Sequence, residues 1–162
     1  MKALWAAAAT GAVLLSGIAA ARADNESNNV SWKRVIGIIQ AGNVVGNIQG
    51  GGQPWSTLGG EAQVSLRSGH IEFEVRGLAL AGGNAIGTPD GVNQVKGTIV
   101  CGPGNPPQFV ADTPLVPLSP QGDAEFEGSV GPLPSVCTPA NLAFLVRIAA
   151  DRWIANGTVR SP

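Results

Sequence analysis

The stretch from Arg67 to Gly77, RSGHIEFEVRG, carries the only histidine of the 162-residue chain, followed by two glutamates at alternate positions. Imidazole and carboxylate are the usual acid/base groups and metal ligands, so His70, Glu72 and Glu74 are the first place to look for chemistry. On a β-strand, alternate side chains share a face but stand roughly 6–7 Å apart in a line. A metal ion needs donors that converge on one point. The run before the turn offers only Arg67, Ser65 and Gln63, a poor ligand set, and no second histidine exists. The row therefore reads as the solvated face of a strand, and neither a metal nor another cofactor is expected.

Asp123, Glu125 and Glu127 repeat the pattern and receive the same reading, since a calcium site gathers its ligands in a loop. A catalytic serine would have to use His70, which sits beside a turn, and no GxSxG elbow is present. Gly42, Gly46 and Gly50 lack the Lys and Ser/Thr of a phosphate-binding loop. The chain is not expected to be an enzyme. A hydrolase or metal-dependent enzyme built around His70 is the least favoured alternative.

The elements that would position these residues are short strands. Ala62, Val64 and Leu66 alternate with polar residues, Ser68-Gly69 can turn, and Ile71, Phe73 and Val75 alternate again. Pairing Arg67 with His70 sets Leu66 against Ile71, Val64 against Phe73 and Ala62 against Val75, with Glu61 facing Arg76 outside. Period two recurs at Val95, Gly97, Ile99 and Cys101, at Ala124 and Phe126, and at Leu142, Phe144, Val146 and Ile148. There, Ala143, Leu145 and Arg147 take the alternate face. No segment beyond the N-terminal run has a helical period. The expected architecture is an all-β, single-domain antiparallel β-sandwich, or barrel-like sandwich, with one disulfide.

The ends and the charge set the compartment. Lys2, the apolar run Ala3 to Ala20 and the small-x-small Ala21-Arg22-Ala23 have the form of a signal peptide, residues 1–23, cleaved after Ala23. A flexible N-terminal segment, 24–34, and a β-sandwich domain, 35–162, are expected to follow, with no transmembrane segment after cleavage. Loss of Lys2 and Arg22 leaves eight basic against eleven acidic residues, so nucleic acid is a poor partner. Cys101 and Cys137, an even pair in an exported chain, are expected to form a disulfide, the alternative being two buried thiols. The expected location is secreted or periplasmic.

Three Gly/Pro-rich stretches interrupt the strands: Ile48 to Gly60 around Trp55, Ala81 to Asn93 with Asn84 and Asp90, and Gly102 to Gly122. Loops at sheet ends commonly carry binding surfaces. Trp55 can stack on a sugar or enter a partner's pocket, or it can fold over the open end of the core. Asp90, in Thr88-Pro89-Asp90-Gly91, suits a turn. Trp55, Asn84 and Asp90 are the candidate ligand-binding residues.

The blocks VRGLALAGG, VKGTIVCGPG, GDAEFEGSV and CTPANLAFLVRIAADRWIANG resemble those of small exported bacterial β-rich proteins of unknown function. The layout is also loosely similar to the chordin-type (CHRD) β-domain, through Ala62-x-Val64-x-Leu66 and Phe73-x-Val75-x-Gly77-Leu78. That family's HxH element is absent, Thr98 to Pro103 standing in its place, so no metal or ligand role is carried over. The resemblance implies fold and compartment. The expected function is an exported non-catalytic binding or structural module, its partner an unknown protein or glycan. The alternative is a carbohydrate-binding domain using Trp55.

Overall fold

The computed structural model describes residues 28–161, so the expected signal segment lies outside the described residues. The first strands are β1 (Asn29–Gly37), β2 (Val44–Val45), β3 (Ile48–Gln49), β4 (Trp55–Ser56), β5 (Gly59–Ser65) and β6 (His70–Arg76). Then come β7 (Ala79–Leu80), β8 (Gln94–Cys101), β9 (Phe109–Asp112) and β10 (Val116–Pro117). The last are β11 (Ala124–Ser129), β12 (Leu142–Ile148) and β13 (Trp153–Ser161). No helix occurs among the described residues.

Nine of these strands form one antiparallel sheet in the order β10-β8-β12-β13-β1-β5-β6-β11, with β9 beside β10 on the free edge of β8. The sheet curls into a half-barrel, the barrel-like form of the expected all-β architecture, and Cys101 is disulfide-bonded to Cys137. β1 lies in the middle, between β13 and β5. Residues 29–34 therefore belong to the sheet and not to a flexible lead, because Val30 and Trp32 are core residues, 0% and 2% exposed. Inside the curl Phe144 packs on Trp32 and on Phe73, ring centres 5.7 and 5.6 Å apart. Gly97 leaves room for these rings: a Cβ there would stand 2.8 Å from Phe73 and 3.1 Å from Phe144.

The β5–β6 hairpin has the expected faces but a different register. Val64 pairs with Ile71, Ala62 with Phe73, and Glu61 with Glu74, two residues away from the pairing that the alternation suggests. The turn is the cause. Gly69, at φ 65°, donates its N–H to Ser65 O at 2.8 Å, closing a loop from Leu66 to Gly69 instead of a two-residue turn. Leu66 leaves the ladder, donating to Asn28 O and accepting from Leu133 N, and its side chain is buried. A slip of two preserves which residues face inward.

The alternate face of β12, which carries Ala143, Leu145 and Arg147, is not open to solvent, with Leu145 1% and Arg147 8% exposed. The chain between β1 and β4 folds back over it. Trp153 Nε1 donates to Asn43 O at 3.0 Å, Gly50 bridges to Trp153, and Gly46 sits against Val100 and Pro107. Val100, Leu145 and Trp153 are consequently buried although they point away from the main core.

Candidate functional site

The first and second Gly/Pro-rich stretches meet at one end of the half-barrel. Trp55 pairs with Leu80, its N–H donates to Ile38 O, and Ala81 N–H donates to Pro54 O, each close to 2.8 Å. The 80–92 loop is tied internally: Leu80 N–H donates to Thr88 O, Gly87 N–H to Leu80 O, and Thr88 Oγ1 to Ala85 O. Asp90 donates its N–H to Thr88 Oγ1 at 3.2 Å and adopts φ 46°, a turn conformation that aspartate tolerates. On the third side, Gly51 N–H donates to Trp153 O and Arg152 Nη1 donates to Gly50 O at 3.2 Å.

These contacts frame an open depression of about 310 Å³. Trp55 lies at its floor, Gln53, Asp90 and Arg152 supply its polar rim, and Val92 and Ile154 line it beside them. Trp55 is only 7% exposed, so its ring seals the core and is no free-standing platform for a sugar. Gly51 leaves the indole edge lightly covered: a Cβ there would stand 3.5 Å from Nε1. Asn84 is exposed on the loop tip and outside the depression, near Ile86, a 63% exposed apolar residue. The Gly102–Gly122 stretch is divided. Gly102 and Gln108 are tied to the far end by bonds to Asn141 and Cys101, while Leu118 returns to bond Asn93.

His70 is exposed at the start of β6, its Nε2 3.7 Å from Glu127 Oε1, and pairs across the ladder with Ser129. Glu72 and Glu74 line up with Glu127 and Glu125 on β11, and Glu74 also faces Glu61 on β5. Gln63 Nε2 donates to Glu72, and Arg76 lies 3.3 Å from Glu74. Among the described residues, no three His, Cys, Asp or Glu side chains converge as metal ligands would. The two carboxylate rows share one outward face.

The most enclosed charges are ones that sequence reasoning missed. Arg147 on β12, 8% exposed, donates from Nη1 to both oxygens of Asp112, at 3.0 and 3.2 Å, and from Nε and Nη2 to Asp151 O. Lys96 on β8 bridges Asp112 and Asp151 at 2.8 and 2.7 Å, and Thr98 Oγ1 donates to Asp112 at 2.7 Å. Burial works against the charge of Asp112, but the bonds from Lys96 and Thr98 and the charge of Arg147 hold its carboxyl below the ordinary aspartate range. The charged groups pair with one another, and no buried side-chain donor or acceptor among the described residues lacks a partner, which suits a clamp between strands more than a reaction centre. The signal in sequence was slight, since Arg147 occupies a normal outward position of β12.

No family model, curated protein or solved structure matches this chain significantly. No helix among the described residues is long and apolar enough to cross a membrane. The site therefore has to be judged on its own geometry. The loop-end depression can hold a ligand against a rigid apolar floor, with one carboxylate and one guanidinium to orient it.

Proposed function

We propose that the chain is an exported, non-catalytic binding module that holds a partner on the loop end around Trp55, Asp90 and Arg152. The observation that carries this reading is the convergence of three sequence-distant segments, 50–55, 80–92 and 148–154, around one pre-formed depression. Each segment is fixed by its own hydrogen bonds, so little conformational entropy is lost when a partner binds. Export is supported by Lys2, the apolar run that follows and Ala21-Arg22-Ala23, together with a disulfide of the kind that persists in oxidising compartments. A non-catalytic role is supported by the exposed, weakly partnered His70 and by the pairing of Lys96, Asp112, Arg147 and Asp151 with one another.

The test is affinity capture from the native envelope or medium, with the chain starting at Asp24 and with an Asp90→Ala/Arg152→Ala variant. A partner retained by the wild type and lost by the folded variant is expected. Equal retention by both would move the contact away from the loop end. Titration with soluble glycans, followed by tryptophan fluorescence, adds a second arm. A saturable response abolished by Asp90→Ala/Arg152→Ala assigns a glycan to this depression.

A further inference from the structure

The half-barrel has two margins, β11 on one side and β9 with β10 on the other. They approach where β10 lies beside β11, at the turn in which Ser119 N–H donates to Asp123 O, but no ladder joins them. From Ala124 to Ser129, β11 pairs with β6 along one edge. Among the described residues, no strand pairs with its other edge. An extended strand with a free row of N–H and C=O groups is a template for another chain.

Two properties of this edge select what it can take. Facing inward, Phe126 stacks on Phe73 at 6.0 Å yet is only partly buried, as is Phe109 on the opposite margin. Apolar side chains of an added strand would meet apolar surface there. Facing outward, β11 presents Glu125 and Glu127, with Glu74 and Glu72 directly opposite on β6. Self-pairing of two β11 edges would set carboxylates of one copy against those of the other, which is unfavourable. A strand carrying Lys or Arg at every second position would meet the same face with opposite charge.

We propose that the free edge of β11 accepts an extended segment of another protein, with basic and apolar residues in alternation, as an additional strand of the half-barrel. This surface is separate from the loop end, and its partner is specified by backbone pairing and charge alternation. Failure of either assignment leaves the other standing.

The probe is a synthetic peptide as long as β11 in which Lys alternates with Val, added to the intact disulfide-bonded protein. Amide hydrogen exchange and fluorescence anisotropy of the labelled peptide are read together. The expected result is new protection confined to β11 and an affinity that falls with added salt. A Glu125→Lys/Glu127→Lys variant should bind this peptide at least about tenfold more weakly and prefer one in which Glu alternates with Val. Three results overturn the proposal. One is equal binding of a peptide of the same composition with Lys and Val in separate blocks. Another is protection of β11 through self-association, seen by sedimentation. The third is full protection of β11 in the protein alone, which would place another segment of this chain on the edge.

Discussion

Arg147 on β12 holds Asp112 on β9 across the intervening strand β8, its Nη1 within 3.2 Å of both carboxylate oxygens. The contact ties the marginal strand to the second strand inward, and Lys96 and Thr98 from the strand between complete it. Asp112→Ala leaves a buried guanidinium short of its main acceptor. With Asp112 itself partly exposed, the expected loss is about 1–3 kcal/mol, measured by urea unfolding. A loss within experimental scatter would show that the cluster does not brace the sheet.

The same cluster sets an acid and an alkaline limit to stability. Asp112 is held below its ordinary value as described, and Asp151 is lowered by the hydrogen bond and charge of Lys96 and by the charge of Arg147. For a carboxyl with a depressed folded value, the stabilisation is present above the unfolded value and lost as pH falls through the folded one. Lys96 is the converse case. Burial lowers it, but its bonds to Asp112 and Asp151 outweigh that and raise it, so its contribution fades as pH climbs past the ordinary lysine value. The melting temperature should therefore decline below about pH 4 and above about pH 10.5. Lys96→Met should flatten the alkaline limb, and an unchanged limb would remove Lys96 from this account.

Across β5, β6 and β11, Glu61, Glu74 and Glu125 stand in one cross-strand row. Like charges directly opposite each other destabilise a ladder by a few tenths to about 1 kcal/mol. Glu125→Lys should raise stability by about that amount, and the gain should shrink as salt screens the row. A destabilised variant would mean that these carboxylates do not repel one another appreciably.

Gly97 faces the aromatic cluster, with no room for a methyl group against Phe73 and Phe144. Gly97→Ala should cost about 1–3 kcal/mol through overpacking. A companion Phe144→Leu substitution should recover part of that loss if the clash is with the ring. A neutral Gly97→Ala measured by thermal unfolding would contradict the packing described.

Cys101 and Cys137 close a long loop that contains β9, β10 and β11. Replacing both with Ala should lower stability by roughly 3–4 kcal/mol on the chain-entropy argument. Denaturant midpoints of the wild type and the double variant measure it. A difference below about 1 kcal/mol would indicate that the loop is restrained in the unfolded chain as well.

Much of this fold was legible because period two is a local signal. It identified the inward residues of β5, β6, β8 and β12 and made an antiparallel sheet the natural expectation. The β5–β6 register was not legible, because it depends on whether the chain turns at Ser68-Gly69 or from Leu66, and Gly69 permits both. The cover over Val100, Leu145 and Trp153 was hidden for another reason. Alternation tells which side a residue faces, not whether a distant segment will lie across that side. Arg147 was lost in the same way: an outward arginine reads as solvated until Asp112 and Asp151 are brought to it. At the loop end, glycine and proline marked the segments correctly but not their meeting, while the reading of Trp55 as a residue folded over the open end of the core agrees with its burial.

The placement of β1 beside β13 has a consequence for biogenesis. The middle of the sheet joins the first and the last strands of the described residues, with Val35 against Gly157 and Gly37 against Ala155. β1 can pair with β5 early, but its other edge stays open until residues beyond Trp153 have been made. Contacts of such long sequence separation form slowly, so the middle of the sheet cannot close until β13 has emerged.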